Sequence, residues 1–411
     1  MKKTIYSLSA ILVFTFTGCM SSDDAPIIAA PIEDNVLSVS GEISESTTWT
    51  NNNIYVLNQK VVVSSGVVLT IQAGTIIKGT EGTGSLASAL IIAKGGKLNA
   101  VGTSTSPIIF TSINDNIAIG QTAGTNLNET NSGLWGGLIV LGDAPCSFSG
   151  DVETLQIEGI PADDTFGLYG GNNATDNSGV YQYISIRHGG ALIGEGNEIN
   201  GLTLGGVGSG TVIENIEVVG NVDDGIEFFG GTVNASNLLV WAQGDDALDI
   251  DQAYSGTINN AVVVLGTNSD HAFEIDGPEG SATGSFSLTN VTIIGNQITE
   301  DGEYADYRSN AMGSTENIYA YGFKSSSDIE LDNDGVATNY NNGLLSFGTW
   351  EIVVPTGVEN ASDVFVNKAS TVTVTDFGST ATAISQGANT VGATTSLLNW
   401  TYANTKAGLG F

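Results

Sequence analysis

Basic residues are scarce in this chain: Lys and Arg number 11 among 411 residues, against 44 Asp and Glu, for a formal net charge of −33. Such a chain lacks the positive surface that nucleic acid or anionic lipid requires, so neither is expected as a direct partner. Two His and two Cys argue against a zinc or copper centre. Past Cys19 the only cysteine is Cys146, which excludes an intrachain disulfide in a processed chain. With no His beside it as an activating base, Cys146 reads as a packing residue. Beyond the first nineteen residues no run of ~18 apolar residues offers a membrane span. Charged residues make up only 13% and hydrophobic ones 41%, a balance that supplies a long core and argues against disorder.

Against this background stands a repeat. An Asn opens an apolar run five times, at Asn215, Asn237, Asn260, Asn290 and Asn317, and a short acidic strand follows each about a dozen residues later. Those second strands are GIEFF (225–229), ALDID (247–251), AFEID (272–276), DYRSN (306–310) and DIELD (328–332), starting 22, 25, 34 and 22 residues apart. A period in the low twenties marks a solenoid whose coils bury their apolar faces only by stacking. Two short strands per coil fit an all-β, right-handed parallel β-helix, with the Asn residues stacked as a ladder that satisfies turn backbone groups.

Strand alternation then assigns faces. Ile226, Leu248, Phe273, Tyr307 and Ile329 point inward. Glu227, Asp249, Glu274, Arg308 and Glu330 form an outward column, with Phe229, Asp251, Asp276, Asn310 and Asp332 beside it. Coils ~4.8 Å apart would hold these carboxylates at contact range, where like charges destabilise one another and raise one another's pKa. A cation, Arg308 or a polyhydroxylated ligand is needed to offset this. Asp249, Asp251, Glu274 and Asp276 make a hard-oxygen set suited to calcium. His188, before a Gly-Gly turn, reads as a structural turn residue, and Arg187 as an outward partner for an acidic neighbour. Trp241, Tyr254, Phe229 and Trp135 are candidate sugar platforms, with core packing the competing reading.

The N-terminus reads as a processing signal. Lys2 and Lys3 precede an apolar stretch, Ile5 to Phe16, and Phe16-Thr17-Gly18-Cys19 resembles a bacterial lipoprotein cleavage box. That resemblance implies removal of residues 1–18 and lipidation of Cys19. Met20-Ser21-Ser22-Asp23-Asp24 is similar to the acidic surface-export signal of Bacteroidota-type lipoproteins, which implies an outer-membrane location facing the exterior. Residues 19–36 become a flexible tether, with the lipid the one membrane contact. Residues 54–112 and GLWGGLIVLGDAP (133–145) resemble the opening half of uncharacterised β-helix lipoproteins. The expected division is a parallel β-helix over 37–342 and irregular final coils with a cap over 343–411. Polar insertions at 113–132 and 143–179 interrupt the coils, and YGGNNATDNSG (169–179) is a candidate groove rim or a plain surface loop.

NVDDGIEF (221–228), GDDALDID (244–251) and SDHAFEIDGPEG (269–280) resemble the motifs of polygalacturonases, inverting β-helix glycoside hydrolases. The resemblance implies Asp223 or Asp224, Asp245 and Asp246 as acid and base carboxylates with His271 nearby, chemistry that inversion requires. The basic Arg-x-Lys signature is absent; Arg308 stands alone. A second resemblance, to calcium-assisted pectate lyases, implies acidic residues on parallel strands holding the ion and Arg308 as base. Successive copies of one repeat would also produce these motifs. The leading expectation is therefore a surface β-helix that binds extended glycan, with a divalent cation on its acidic face. A polysaccharide-cleaving hydrolase or lyase and a structural surface protein remain the alternatives.

Overall fold

The computed structural model describes residues 35–160, 164–192, 199–299 and 301–411. The leader, Cys19 and the tether to residue 34 lie outside the described residues, and the lipidation expectation lies there with them. Twenty-five strands among the described residues pair into one continuous parallel array, the parallel β-helix that the repeat predicts.

Each coil has a long strand and a short one. The long strands Val212–Val219, Asn234–Trp241, Thr257–Val264, Phe286–Ile294 and Gly313–Tyr321 stack in parallel, with Ile216, Leu238, Ala261, Val291 and Ile318 in one register. The repeating Asn bends each long strand in its middle, giving the coil three sides rather than two. Asn215, Asn237, Asn260, Asn290 and Asn317 all have φ between 56° and 64°, the left-handed region that Asn tolerates better than most residues. Two links join members of the ladder, Asn260 Nδ2 donating to Asn237 Oδ1 (2.8 Å) and Asn317 Nδ2 to Asn290 Oδ1 (3.1 Å), while Asn290 Nδ2 donates to Asn259 Oδ1 (2.8 Å).

The short strands are Ile226–Phe229, Leu248–Asp251, His271–Ile275, Glu303–Tyr307 and Ile329–Leu331. Alternation buries Ile226, Phe228, Leu248, Ile250, Phe273, Ile275, Ala305, Tyr307, Ile329 and Leu331 in the coil interior. Each Ile, Leu and Phe among them contributes ~2 kcal/mol of transfer free energy. One register differs from expectation. Asp306, not Arg308, pairs with Glu274 and Glu330, while Tyr307 lies over Ile275 and Leu331. The outward column is thus Glu227, Asp249, Glu274, Asp306, Glu330.

Two coverings change what the outer faces expose. Phe148, Ile157, Ile160 and Tyr169 of the 143–179 insertion pack on Ile139, Leu141 and Phe229, so this segment roofs the first coils of the short-strand face. At the other end, Leu345–Phe347, Trp350–Ile352, Phe365–Asn367 and Ala381–Ala383 add final strands. Beyond them the chain runs back along the outside of the long strands. Thr390 Oγ1 donates to Glu351 (2.6 Å), Ala393 N to Thr292 Oγ1 (2.9 Å), Thr394 N to Asn260 Oδ1 (2.6 Å) and Ala403 N to Glu217 Oε1 (2.7 Å). The end of 343–411 is therefore a strap across several coils as well as a terminus.

Candidate functional site

Asp224 and Asp246, in the turns before two successive short strands, and His271, the first residue of the third, stand one above another. Asp246 N donates to Asp224 Oδ1 (3.0 Å), and His271 N donates to Asp246 Oδ1 (2.8 Å). Each carboxylate thereby tethers the backbone of the next coil. The same Asp246 oxygen also accepts the His271 ring Nδ1 at 2.8 Å, with Asp270 Oδ1 3.7 Å away. Burial opposes a charged ring, but the Asp246 hydrogen bond and charge, with Asp270 and Asp306, push His271 up to about 10. His271 is an imidazolium at neutral pH.

Glu274, two residues into the same strand beyond Ala272, completes a set with Asp246 and His271 whose ligand atoms lie within 4.8 Å of one another. Burial first, then Asp246, pushes its carboxyl up to about 8, against the pull of Arg308. Arg308 reaches back from the next coil, donating from Nε to Asp276 Oδ2 (3.0 Å) and from its terminal nitrogen to Glu274. Burial works against the guanidinium, yet Glu274 and Asp276 hold its pKa above the usual arginine value.

A second set lies under the insertion roof. Asp224, Glu227 and Asp249 are 6%, 4% and 8% exposed, and their oxygens also fall within 4.8 Å of one another. Asn200 donates to Glu227, whereas Asp249 Oδ1 is buried with no hydrogen-bond partner among the described residues. All three carboxyls are raised well above their usual range by burial first; the Asp249 charge then raises Asp224 and Glu227, and Glu274 and Asp246 raise Asp249. Asp245, on the solvent side, groups with Asp223 and Asp224. Partial desolvation, then Asp246 and Asp270, lifts it to about 6.

The expected calcium quartet does not assemble as one set. Asp249 joins Asp224 and Glu227, and Glu274 joins Asp246 and His271. Asp276 is taken by Arg308, and Asp251 accepts from Gln252 N (2.6 Å) while burial lifts it to about 7. Arg308 holds Glu274 and Asp276, while Asp249 groups with its other registered neighbour, Glu227.

The pectate-lyase-like β-helix domain family matches residues 41–405. This chain belongs to that family. Membership relates the fold to polysaccharide-acting enzymes. No curated protein matches the chain. Among solved structures it is similar to the pectin methylesterase from Aspergillus niger, at 13% identity and a TM-score of 0.31, over 87% of this chain and 88% of that one.

Within this pectate-lyase-like domain several residues take places that alternation did not assign. Asp306 enters the acidic column, and Glu303, Asp328 and Glu330 gather beyond it, with Lys368 of a final coil bound to Glu330 and 3.8 Å from Asp328. Lys368 had no sequence signal, because its coil has lost the repeat. Arg187 faces outward toward an acidic neighbour, 4.0 Å from Glu217, but is buried there against Tyr402 of the strap and bonded from Nε to Ser185 Oγ (2.7 Å). Trp135 and Tyr254 are core residues, and Phe229 lies beneath the insertion, so none of the three is a platform. Trp241 is largely covered but lines a cavity at the coil corner. Cys146 is half-buried near Phe229, and desolvation pushes its thiol up to about 12, consistent with an inert packing role.

Proposed function

We propose that this chain binds an extended polysaccharide along its short-strand face and holds a divalent cation, calcium, at Asp224, Glu227 and Asp249. The observation that supports it is the buried three-carboxylate set with one oxygen of Asp249 left without a partner. Three hard oxygens with no competing cation beside them suit calcium, and leaving such charges uncompensated is costly. The ion would neutralise the roofed end of the face. His271 and Arg308 supply positive, partly exposed groups at its centre, 15% and 36% accessible, for the hydroxyls or carboxylates of a polymer. Display at the outer membrane through lipidated Cys19 is part of the same proposal.

Cleavage is a second reading, favoured by Glu274. Held protonated near neutrality beside the Asp246–His271 pair, it is a candidate acid, and solvent-side Asp245 a candidate base. Arg308 is a poor lyase base, because two carboxylates oppose loss of its proton.

The test combines retention on immobilised neutral and uronate-bearing polysaccharides with reducing-end and unsaturated-product assays, with calcium or chelator. Expected are calcium-dependent retention and a calcium-dependent rise in Tm that Asp249→Asn abolishes. Products that vanish in Asp246→Asn would promote the enzyme reading. If calcium leaves Tm unchanged and Asp249→Asn alone raises it, the three carboxylates merely repel and the cation site is wrong. Absence of both retention and product defeats the glycan reading.

A further inference from the structure

The corner where long strands turn into short ones holds a cavity of about 290 Å³, lined by Glu129, Ser132, Trp241, Thr267, Asn268 and Asn296 among others. Its outer wall is the end of the 113–132 insertion, which is fixed in place. Asn128 and Asn131 bond each other (Asn131 N to Asn128 O, 3.1 Å; Asn128 N to Asn131 Oδ1, 2.9 Å). Asn131 O accepts from His188 Nδ1 (2.8 Å), and Gly133 N donates to Gly189 O (2.6 Å). The inner wall is Trp241, the last residue of its long strand, whose ring is steadied by Tyr402 of the strap at 6.4 Å between centroids. Loops of different coils thus converge on one indole, on a rigid scaffold.

The lining chemistry selects a ligand class. Hydroxyls from Ser132 and Thr267, carboxamides from Asn268 and Asn296 and the carboxylate of Glu129 line the cavity around the small exposed part of Trp241, 7% accessible. Among the described residues the side chains of Ser132, Thr267 and Asn268 make no hydrogen bond within the protein. They remain available to a ligand. Mixed donors and acceptors with a small apolar contact suit a neutral ring with a hydroxyl rim. Glu129 and the −33 charge of the chain disfavour an anion. The volume lies at the small end for ligand sites, room for one ring. We infer that this corner cavity is a subsite for a single neutral sugar residue, packed against the exposed part of Trp241 and hydrogen-bonded by Glu129, Ser132 and Asn268.

The subsite stands apart from the acidic face, although one turn serves both. Ala242 and Gly244 line the cavity, while Asp245 and Asp246 belong to the carboxylate sets. The inference does not require the acidic-face reading, and the two can fail separately. The test is a titration of the full chain with neutral monosaccharides, read by tryptophan fluorescence and by saturation-transfer NMR, with a quaternary ammonium compound as comparison. Expected is saturable binding of at least one neutral sugar, weakened about tenfold, one or two lost hydrogen bonds' worth, in Asn268→Ala and Trp241→Phe. Chelator and Asp249→Asn should leave it unchanged. Asn268 is exposed, so its variant keeps the fold and the test holds even if Trp241→Phe loosens the strap. No saturable sugar binding, equal binding in Asn268→Ala, or preference for the ammonium compound overturns the assignment.

Discussion

His188 shows how a lone ionisable side chain is used in this fold. It ends the strand Gly179–Arg187 at φ 63°, buried, with its ring Nδ1 donating to Asn131 O, and so ties the 113–132 insertion to the coil. Burial, with Arg187 alongside, pushes its pKa down to about 4, so the ring is neutral in the folded state. An unfolded His takes a proton near pH 6.5. Between that value and about 4 the unfolded chain binds a proton that the folded chain refuses, so stability is full above 6.5 and falls as pH drops, by up to about 3 kcal/mol. His271 has the opposite sign. Its folded value is raised to about 10, so its contribution is full below 6.5 and is lost as pH climbs through 10. Because acidic-face groups such as Asp251 and Glu274 also titrate, with raised values, the difference between wild type and a variant isolates His188. His188→Asn suits the left-handed backbone and offers an amide nitrogen to Asn131 O. Denaturant unfolding at pH 7, 6, 5 and 4 should show the variant losing less stability than wild type toward pH 4. Parallel curves would mean that His188 does not titrate this way.

The bent long strand is the element that sets the coil's shape, and Asn260 tests it. Its φ is 64°, its Nδ2 donates to Asn237 Oδ1, and its Oδ1 accepts Thr394 N of the strap at 2.6 Å. Asn260→Ala loses both hydrogen bonds and adds the cost of a left-handed L-residue, about 2–4 kcal/mol in all. Asn260→Gly keeps the backbone freedom and should cost about 1–2 kcal/mol less, a ranking that equilibrium unfolding measures directly. Equal losses would show that the bend carries no strain. The periodicity of these Asn residues was plain in the sequence, as was the acidic column. The register at Arg308 was not. A slip of two residues leaves every side chain on the same face, so alternation in EYADYRSN could not choose between Asp306 and Arg308 opposite Glu274. Nor could local pattern reveal which carboxylates are roofed. Glu227 is buried against Asn200, and its neighbour Phe229 against Ile157, Ile160 and Tyr169 of an insertion far off in the chain, contacts that no repeat encodes.

At the scale of the whole molecule the strap answers a weakness of solenoids. Coils touch only their neighbours, so a β-helix is free to open a few coils at a time. The C-terminal segment crosses that limit. It bonds residues of several coils, from Glu217 to Glu351, and Leu398, Tyr402 and Ala403 cover Leu239, Trp241, Val262 and Val264. It also closes a buried charge pair. Glu217 accepts from Ser185 Oγ (2.5 Å) and Ala403 N (2.7 Å), and the Arg187 guanidinium lies 4.2 Å from the Tyr402 ring centroid. Removing residues 386–411 would bare that apolar strip and leave Glu217 without one of its donors. We expect the truncated chain to melt at lower temperature, over a broader range, and to bind a hydrophobic dye. In hydrogen exchange, protection should fall first in Val212–Val219, Asn234–Trp241 and Thr257–Val264, while the short strands keep theirs longer. The milder Glu217→Gln keeps an oxygen for Ala403 N but removes the charge beside Arg187, and should cost about 3 kcal/mol, the loss of one member of a buried ion pair, without broadening the transition. A truncated chain that melts as sharply and as high as the full one would show that stacking alone makes the coils cooperative.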